Sequence, residues 1–353
     1  MHSVSTLSYI MLNFITQLPK AELHNHLDGS LRVDSIIELA QKQKVKLPSF
    51  NRSDLESLLI NDENCQSLKE YFIPFEISLS VLQSAEALER VTYELLEDVS
   101  KENVKYLEIR YSPLLHTKNG LDPDAAVEAV LRGKLQAEKV FNIKCGIIIC
   151  GLRQNTPIQN LDLAVLAVKY KHKGVVAFDL AGEEFGRPAL NHKNAFDYAL
   201  KHNLARTVHA GEADGAHSIH DAIHGLNANR IGHGTHLFQD AELLNFVRDN
   251  QIPLEVCLSS NIQTKAVSDL KKHPILDYFK QDILVTLNTD SYLISGTTLT
   301  KEYILASGLY NFTKNDLAQL TLNAFNSAFL NDDEKQDLVR NAKSEINLLL
   351  NNH

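Results

Sequence analysis

The chain has 353 residues, a hydrophobic content of 44% and a formal net charge of −9. It is long enough to bury a large core, and it lacks the basic surface that would indicate a partner such as nucleic acid or an anionic membrane. The acidic charge balance suits a soluble cytoplasmic protein. No apolar run is long enough to span a bilayer.

The N-terminal segment at residues 8–15, S-Y-I-M-L-N-F-I, has the composition of a short apolar arm. It has no basic n-region and no small-residue cleavage site, so we do not interpret it as a signal peptide. We expect a strand-like arm there, with either Met1 or Met11 as the native start.

Four cysteines are present and no C-x-x-C pair occurs. Free thiols in a reducing compartment are therefore expected, and those in apolar runs should pack as small hydrophobic residues. They are Cys65, Cys145, Cys150 and Cys257.

Short apolar runs alternate with helical patterns along the whole chain. Several are continuously apolar, such as C-G-I-I-I-C-G-L at residues 145–152, as expected for parallel strands covered on both faces. Strands are predicted at residues 22–24, 105–111, 144–151, 175–180, 206–209, 230–232, 254–257 and 284–287. Eight such strands separated by helices predict an α/β fold, a (β/α)₈ TIM barrel.

Helices are predicted between these strands. Ser84 is a candidate N-cap for a helix in which Leu88, Val91, Leu95 and Val99 recur at helical spacing. Residues 161–171 and 240–249 behave similarly. Residues 32–101 are too many for a simple connection and predict extra helices over the C-terminal mouth of the barrel. Residues 314–350 predict a C-terminal helical tail. No repeat or linker divides the chain, so we expect one domain, 1–353.

The first strand ends in L-H-N-H-L-D-G-S, which places His24 and His26 two residues apart. In a strand, side chains at i and i+2 point to the same face, so both imidazoles could reach one metal ion. Two surface or core histidines near a turn would give the same spacing, so this motif needs support from elsewhere in the chain.

Three further apolar runs end in polar clusters: T-V-H-A-G-E, R-I-G-H-G-T-H and L-V-T-L-N-T-D-S. The C-terminal ends of barrel strands meet on one face, which carries the chemistry of such folds. His24, His26, His209 and Asp290 would then form a set suited to one Zn²⁺ per chain. Glu212 and His233 remain as acid and base groups beside it. None of His217, His220, His224 and His236 is assigned to the metal.

The motifs H-N-H-L-D-G-S, D-L-A-G-E-E, H-A-G-E, R-I-G-H-G, C-L-S-S-N and N-T-D resemble, in order, those of the adenosine deaminases of the metal-dependent amidohydrolase superfamily. The resemblance covers nearly the whole chain. It implies zinc-dependent hydrolytic deamination of adenosine, and of 2′-deoxyadenosine, to inosine and ammonia in purine salvage, with a small purine nucleoside as the partner molecule.

The resemblance also implies a role for individual residues. His24, His26, His209 and Asp290 match the zinc ligands. Glu212 matches the acid that protonates purine N1 and later passes a proton to the leaving ammonia. His233 matches the histidine that orients or deprotonates the attacking water. The substrate-binding matches are His26, Asp28 for the ribose 5′-hydroxyl, Gly182 for purine N3 and Ser291. An apolar gate helix is implied by Leu68, Tyr71, Phe72 and Phe75.

Ser291 departs from the family pattern, which usually has a second aspartate there to bond purine N7. A serine hydroxyl can still donate one hydrogen bond, but it is shorter and neutral. The departure therefore bears on how strongly N7 is recognised more than on the type of reaction.

Each of these residues also has a purely structural interpretation. Asp290 could cap a helix, Glu212 could favour a helix dipole, and His233 could be a core histidine. Asp28 could form a turn, and Gly182 could supply a positive φ angle. The spacing of the gate residues is also that of an ordinary helix core.

Other functions remain open at this stage. The same fold could deaminate adenine, another 6-aminopurine nucleoside or a modified nucleoside monophosphate, although Asp28 is unsuited to a phosphate. A binuclear amidohydrolase would commonly need a lysine at the end of strand four, where this chain has D-L-A-G. A zinc-stabilised scaffold without activity would not need Glu212 and His233.

Overall fold

The computed structural model describes residues 7–62 and 64–351. Within them, eight parallel strands follow one another around a single sheet in chain order. The strands are β1 Lys20–His26, β2 Val104–Tyr111, β3 Lys144–Leu152, β4 Val175–Ala181, β5 Ala205–Ala210, β6 Arg230–His233, β7 Leu254–Val256 and β8 Val285–Leu287. Each lies within about two residues of a predicted strand, which confirms the (β/α)₈ barrel.

The sheet closes where its first and last strands meet. Asn25 and Asp290 form a parallel bridge, in which the backbone nitrogen of His26 donates to the carbonyl oxygen of Asp290 at 2.7 Å. Just below, the backbone nitrogen of Leu23 donates to the side-chain oxygen of Asn288 at 2.8 Å. The closed barrel brings the C-terminal ends of all eight strands to one mouth.

The long segment between β1 and β2 forms helices, as predicted. They are α2 Val33–Gln43, α3 Arg52–Leu59, α4 Leu68–Tyr71, α5 Ile73–Val81 and α6 Ala85–Ser100, after α1 Tyr9–Gln17 at the N-terminus. The hydroxyl of Ser84 accepts from the backbone nitrogen of Ala87 at 3.3 Å, which confirms the predicted N-cap of α6. Helices α4 and α5 lie over the mouth of the barrel.

The remaining helices follow the strands from β2 onward and form the tail. They are α7 Pro123–Val140, α8 Pro157–Tyr170, α9 Lys193–Lys201, α10 Ala216–His220, α11 Ala241–Asp249, α12 Leu258–Gln263, α13 Ile275–Lys280, α14 Leu299–Tyr310, α15 Lys314–Ser327 and α16 Asp332–Asn351. A π-helical turn over Asp221–Gly225 continues α10. Among the described residues, no helix has the length and apolarity needed to cross a bilayer.

The prediction of a strand-like N-terminal arm was wrong, because residues 9–17 form α1. The Ser8 hydroxyl accepts from the backbone nitrogen of Met11 at 3.2 Å and caps the helix. Phe14, Ile15 and Leu18 are fully buried, and Met11 is partly buried against the same core. Apolar residues at i, i+3, i+4 and i+7 are the helical spacing, not the alternation of a strand.

Candidate active site

Four predicted ligands converge at the mouth of the barrel. One ligand atom from each of His24, His26, His209 and Asp290 lies within 4.8 Å of the others. His26 Nε2 is 3.1 Å from His209 Nε2, and Asp290 Oδ1 is 3.3 Å from Nε2 of both His24 and His26. The strand ends thus assemble the set that the sequence predicted.

The donor set fits a single tetrahedral metal ion. With metal–ligand bonds of about 2.0–2.1 Å, the ligand atoms of such a site lie roughly 3.3–3.4 Å apart, close to the separations seen here. Nε2 of His24 is buried and has no hydrogen-bond partner among the described residues. This atom is therefore available to a metal ion held between the four ligand atoms.

In two of these imidazoles, the other ring nitrogen, Nδ1, is hydrogen-bonded to a buried carboxylate. His24 Nδ1 lies 2.9 Å from Glu255 Oε2, and His209 Nδ1 lies 3.1 Å from Asp179 Oδ2. Each carboxylate accepts a hydrogen bond from Nδ1–H, which leaves the lone pair on Nε2 for a metal ion. Arg110 bridges the two acids, at 3.2 Å from Asp179 and 2.8 Å from Glu255. Its positive charge helps to keep the pKa of both carboxyls below their ordinary values despite burial.

Two site residues adopt a backbone conformation that is rare outside glycine. His233 has φ of 64° and Asp290 has φ of 65°. Left-handed φ angles in such residues cost energy and collect at functional sites. Gly232 leaves room for two of the histidines, because a Cβ there would lie 3.1 Å from His24 Cε1 and 3.2 Å from His209 Cα. Thr298, rather than Asp290, caps the next helix, α14.

The side chains of Glu212 and His233 lie next to each other in the cavity lining. Glu212 Oε2 lies 3.5 Å from His233 Nε2, and Glu212 Oε1 has no hydrogen-bond partner among the described residues. Burial, followed by the negative charges of Asp290 and Glu184, raises the pKa of the Glu212 carboxyl well above its ordinary value. A glutamic acid that keeps its proton near neutral pH can act as a general acid.

A single buried acid, Glu184, holds the loop that carries Glu212. Its carboxylate accepts hydrogen bonds from four consecutive backbone nitrogens, at distances of 2.6–3.1 Å. The donors are those of Gly211, Glu212, Ala213 and Asp214. The hydroxyl of Ser218 also donates to Glu184, at 2.6 Å. Four N–H groups pointing at one carboxylate fix the loop, so the position of Glu212 does not depend on its own side chain.

Three members of the metal set, His26, His209 and Asp290, line one cavity of about 260 Å³ together with Glu212. Its polar lining is formed by His26, Asp28, Glu76, Gln154, His209, Glu212, His233 and Asp290, and its apolar lining by Leu68, Tyr71, Phe72, Phe75, Leu79, Leu115, Leu152, Ala181 and Gly182. A larger groove, of about 1110 Å³, lies near the tail and the N-terminal ends of β2 to β5. In barrels of this kind the chemistry occurs at the opposite face.

Asp28 contributes a buried, unsatisfied acceptor to this cavity. Its Oδ1 atom has no hydrogen-bond partner among the described residues, and burial raises the pKa of the carboxyl to about 7. A buried polar atom without a partner in the protein is a candidate for a ligand contact. The Ser78 hydroxyl donates to the carbonyl oxygen of Asp28 at 2.6 Å, which ties α5 to this position.

The predicted gate residues all line the cavity, although they belong to two short helices. Leu68 and Tyr71 lie on α4, and Phe75 lies on α5, with Phe72 between them. Adjacent rings of the three aromatic residues are 6.0–6.2 Å apart. The Tyr71 hydroxyl reaches Ser295 Oγ at 2.7 Å, so the roof of the cavity is fastened to the loop after β8.

Gly182 and Ser291 are placed differently. Gly182 lines the cavity with φ of 92°, a backbone conformation that favours glycine. A Cβ there would also lie 2.3 Å from Gln154 Oε1, so the Gln154 side chain would have to move. Ser291 is fully buried against Gly29 and is not among the lining residues. Its hydroxyl has no hydrogen-bond partner among the described residues, and its contact with N7 stays a prediction.

The other histidines lie outside this cluster. The side chains of His217 and His220 are 71% and 57% exposed, and neither belongs to the metal set. Sequence reasoning missed Asp179, Glu184 and Glu255. A signal for two of them was present, since Asp179 and Glu255 are lone acids in apolar strands, and a buried acid needs a charged or hydrogen-bonded partner.

The chain is similar to known deaminases over almost its whole length. The family profile described as adenosine deaminase matches residues 19–344. An adenosine deaminase of Clostridium kluyveri is 39% identical over 339 residues, which are 96% of this chain and 97% of that protein. A probable adenosine deaminase of Dictyostelium discoideum is 43% identical over 94% of this chain, and the match spans 43% of that longer protein.

Solved structures share the fold. An adenine deaminase from Arthrobacter aurescens superimposes with a TM-score of 0.87 at 25% identity, covering 94% of this chain and 99% of that one. The N6-methyl-AMP deaminase of Arabidopsis thaliana gives a TM-score of 0.83 at 29% identity, covering 94% and 98% of the two chains.

Proposed function

Because the chain belongs to the adenosine deaminase family and is a hydrolytic deaminase, we propose that it converts adenosine and 2′-deoxyadenosine to the 6-oxopurine nucleosides and ammonia in purine salvage. The observation that carries this proposal is that a cluster of four potential metal ligands, Glu212 and His233 meet at one small cavity. Each group has a distinct task in the reaction.

The family is metal-dependent, and we propose one Zn²⁺ per chain on His24, His26, His209 and Asp290. Three imidazoles and a carboxylate are a ligand set that zinc accepts. When bound, the ion would supply a nucleophilic water at neutral pH. The carboxylates of Glu255 and Asp179 orient two of the ligands toward it.

Glu212 is the proposed acid. Its raised pKa keeps a proton available for purine N1, which makes C6 more electrophilic. In the balanced reaction, the oxygen of water becomes the 6-oxo group, one proton ends on N1 and the other leaves with the amino nitrogen as ammonia. Glu212 returns to its starting state. His233 lies beside it and contacts the attacking oxygen.

The cavity favours a nucleoside over a nucleotide or a free base. Asp28 offers an unpaired buried acceptor that a ribose 5′-hydroxyl would satisfy, and adenine has no such group. No lysine or arginine among the described residues lines the cavity, while Asp28 and Glu76 both do. A 5′-phosphate would therefore meet acids without a compensating cation.

The remaining contacts complete the proposal. Gly182 would donate its backbone N–H to N3, Ser291 would reach N7, His26 would contact the substrate as well as the metal, and α4 and α5 would exclude water above it. We also propose that residues 1–353 act as one domain in the cytoplasm, without nucleic acid or membrane as partners.

The deciding experiment offers the zinc-loaded protein adenosine, 2′-deoxyadenosine, adenine, AMP and N6-methyl-AMP separately. Ultraviolet absorbance and ammonia release are followed in each case. We expect the two nucleosides to have the highest kcat/KM. A preference for adenine or for a monophosphate would overturn the substrate assignment, and absence of turnover on all five would favour a zinc-binding scaffold. Glu212→Gln serves as the matched inactive control.

A further inference from the structure

His233 is the end of a chain of buried hydrogen bonds that begins at a backbone N–H. The backbone nitrogen of Ile275 donates to His273 Nδ1 at 3.1 Å. His273 Nε2 lies 3.1 Å from Asn261 Oδ1, and Asn261 Nδ2 lies 3.0 Å from His233 Nδ1. The three side chains are at most 4% exposed, so water does not compete for these contacts.

The backbone donor fixes the direction of every bond in this chain. A backbone N–H can only donate, so His273 Nδ1 must accept and carries no hydrogen. Burial lowers the pKa of the His273 imidazole to about 3, so the ring is neutral and its hydrogen is on Nε2. His273 Nε2 therefore donates to the oxygen of Asn261. The amide group of Asn261 is then oriented with its NH₂ toward His233 Nδ1.

The alternative arrangement is self-contradictory. If His233 carried its hydrogen on Nδ1, Asn261 would have to turn its oxygen toward that atom and its NH₂ toward His273. His273 would then need its hydrogen on Nδ1, directly facing the N–H of Ile275. Two buried donors 3.1 Å apart would lose one hydrogen bond and leave a polar group unsatisfied.

We propose that Asn261 and His273 are positioning residues that hold His233 with its hydrogen on Nε2, so that His233 enters the reaction as a hydrogen-bond donor. This inference rests on the proposed function of His233. Nε2 is the atom on the cavity side, 3.5 Å from Glu212 Oε2. It donates to the oxygen that adds to C6 and does not remove a proton from it. The protons of water pass instead through the Glu212 carboxylate, after it has given its own proton to N1.

The first test determines directly which ring nitrogen of His233 carries the hydrogen. The protein is labelled with ¹⁵N in the histidine rings, loaded with zinc, and examined by two-bond ¹H–¹⁵N correlation spectra. The His233 signals are assigned by their loss in His233→Gln. We expect an unprotonated Nδ1 and a protonated Nε2 in the wild-type protein. A protonated Nδ1 would overturn the proposal, whether or not the protein turns over adenosine.

The second test uses a matched pair at His273, which lines no part of the cavity. His273→Gln keeps a donor that can reach the Asn261 oxygen, whereas His273→Leu removes it. In His273→Leu we expect both His233 tautomers in the spectrum and a loss in kcat of about tenfold, the scale of one neutral hydrogen bond, with KM unchanged. His273→Gln should restore the single tautomer and most of kcat.

The readouts separate this inference from the proposed function. An Nε2–H signal in a protein that does not deaminate adenosine would retain the inference and reject the substrate. Deamination of adenosine by a protein whose His233 carries its hydrogen on Nδ1 would retain the substrate assignment and reject the inference. A His273→Leu variant that keeps a single Nε2–H tautomer and normal kcat would remove His273 from its positioning role. Zinc content and thermal unfolding are recorded for each variant. If a variant does not fold, the tautomer seen in the wild-type spectrum alone tests the inference.

Discussion

The carboxylate of Glu184 lies 2.9 Å from the backbone nitrogen of Glu212, so one buried acid holds the backbone of another. The two side chains then have different tasks. Glu184 is fully engaged by N–H and hydroxyl donors, while Glu212 Oε1 has no partner among the described residues. The geometry separates the carboxylate that holds the loop from the carboxyl that we propose as the proton donor.

Replacing Glu184 by glutamine tests this separation. The NH₂ of the new side chain would face backbone N–H donors, and each buried group left unsatisfied costs about 1–3 kcal/mol. We expect Glu184→Gln to lower the free energy of unfolding and to reduce kcat while zinc remains bound. Chemical denaturation, metal analysis and steady-state kinetics check this. Glu183→Gln, which alters the partly exposed neighbour, is the control, and equal effects in both would contradict the loop assignment.

Glu212→Gln should fold and keep its zinc but lose activity. An amide cannot deliver a proton to N1, and a positioned acid or base is typically worth about 10²–10⁴-fold. The stability of the variant should not fall, because burial already disfavours the charged carboxylate at this position. A kcat close to that of the wild type, in a preparation with full zinc content, would exclude Glu212 from proton transfer.

His209→Ala should bind less than one equivalent of zinc. It removes one ligand and leaves the buried Asp179 carboxylate without its imidazole partner. His217→Ala is a matched control, since that side chain is 71% exposed and lies outside the cluster. Elemental analysis after exhaustive dialysis measures the difference. Undiminished zinc in His209→Ala would show that the ligand assignment is wrong.

Asp28 should make the stability of the ligand-free protein depend on pH. Burial raises the pKa of its carboxyl from 3.8 to about 7, so the folded state holds a proton that the unfolded chain releases. The free energy of unfolding should therefore decrease as the pH rises from about 4 to about 7, by roughly 1.4 kcal/mol per pKa unit at most. The free energy of unfolding, measured with urea at several pH values in this interval, should depend less steeply on pH in Asp28→Asn than in the wild type. The exposed Asp162→Asn should retain the wild-type slope, and identical slopes in all three proteins would contradict the assignment.

Ser291 can be tested against purine N7 with a double cycle. If its hydroxyl donates to N7, Ser291→Ala and the change from adenosine to its 7-deaza analogue should each cost about 0.5–1.5 kcal/mol in kcat/KM, the value of a neutral hydrogen bond. The penalties should not add when the two changes are combined. Additive penalties would mean that another group or water contacts N7.

The barrel and its cluster of three histidines and one aspartate could be predicted because both leave strong local patterns. Parallel strands buried on both faces are continuously apolar, and polar residues after them stand out, as His209 and Asp290 do. The N-terminal arm was assigned wrongly because a short apolar run gives little room to distinguish alternation from helical spacing. The burial of Phe14 and Ile15 distinguishes a helix from a strand only when the residues packed around them are known.

The supporting residues depend on contacts that no local pattern encodes. Asn261 lies on α12 and His273 just before α13, and their link to His233 arises from the packing of three separate segments. Glu184 stands beside Glu183 in sequence, and nothing local tells which of the two is buried. Glu183 and Glu184 are the same residue type and differ only in where the fold places their side chains.

The closure of the barrel between β1 and the end of β8 has a consequence for folding during synthesis. Asn25 donates to Thr289 across a separation of 264 residues, and Asp290 bridges β1 at the same place. During synthesis, His24 and His26 emerge early, yet their carboxylate partner is among the last strand-end residues to appear. Pairings of such long range form late in folding. A nascent chain that ends before β8 would have the three histidines but neither a closed barrel nor the fourth ligand, so premature metal capture by the incomplete enzyme should be weak.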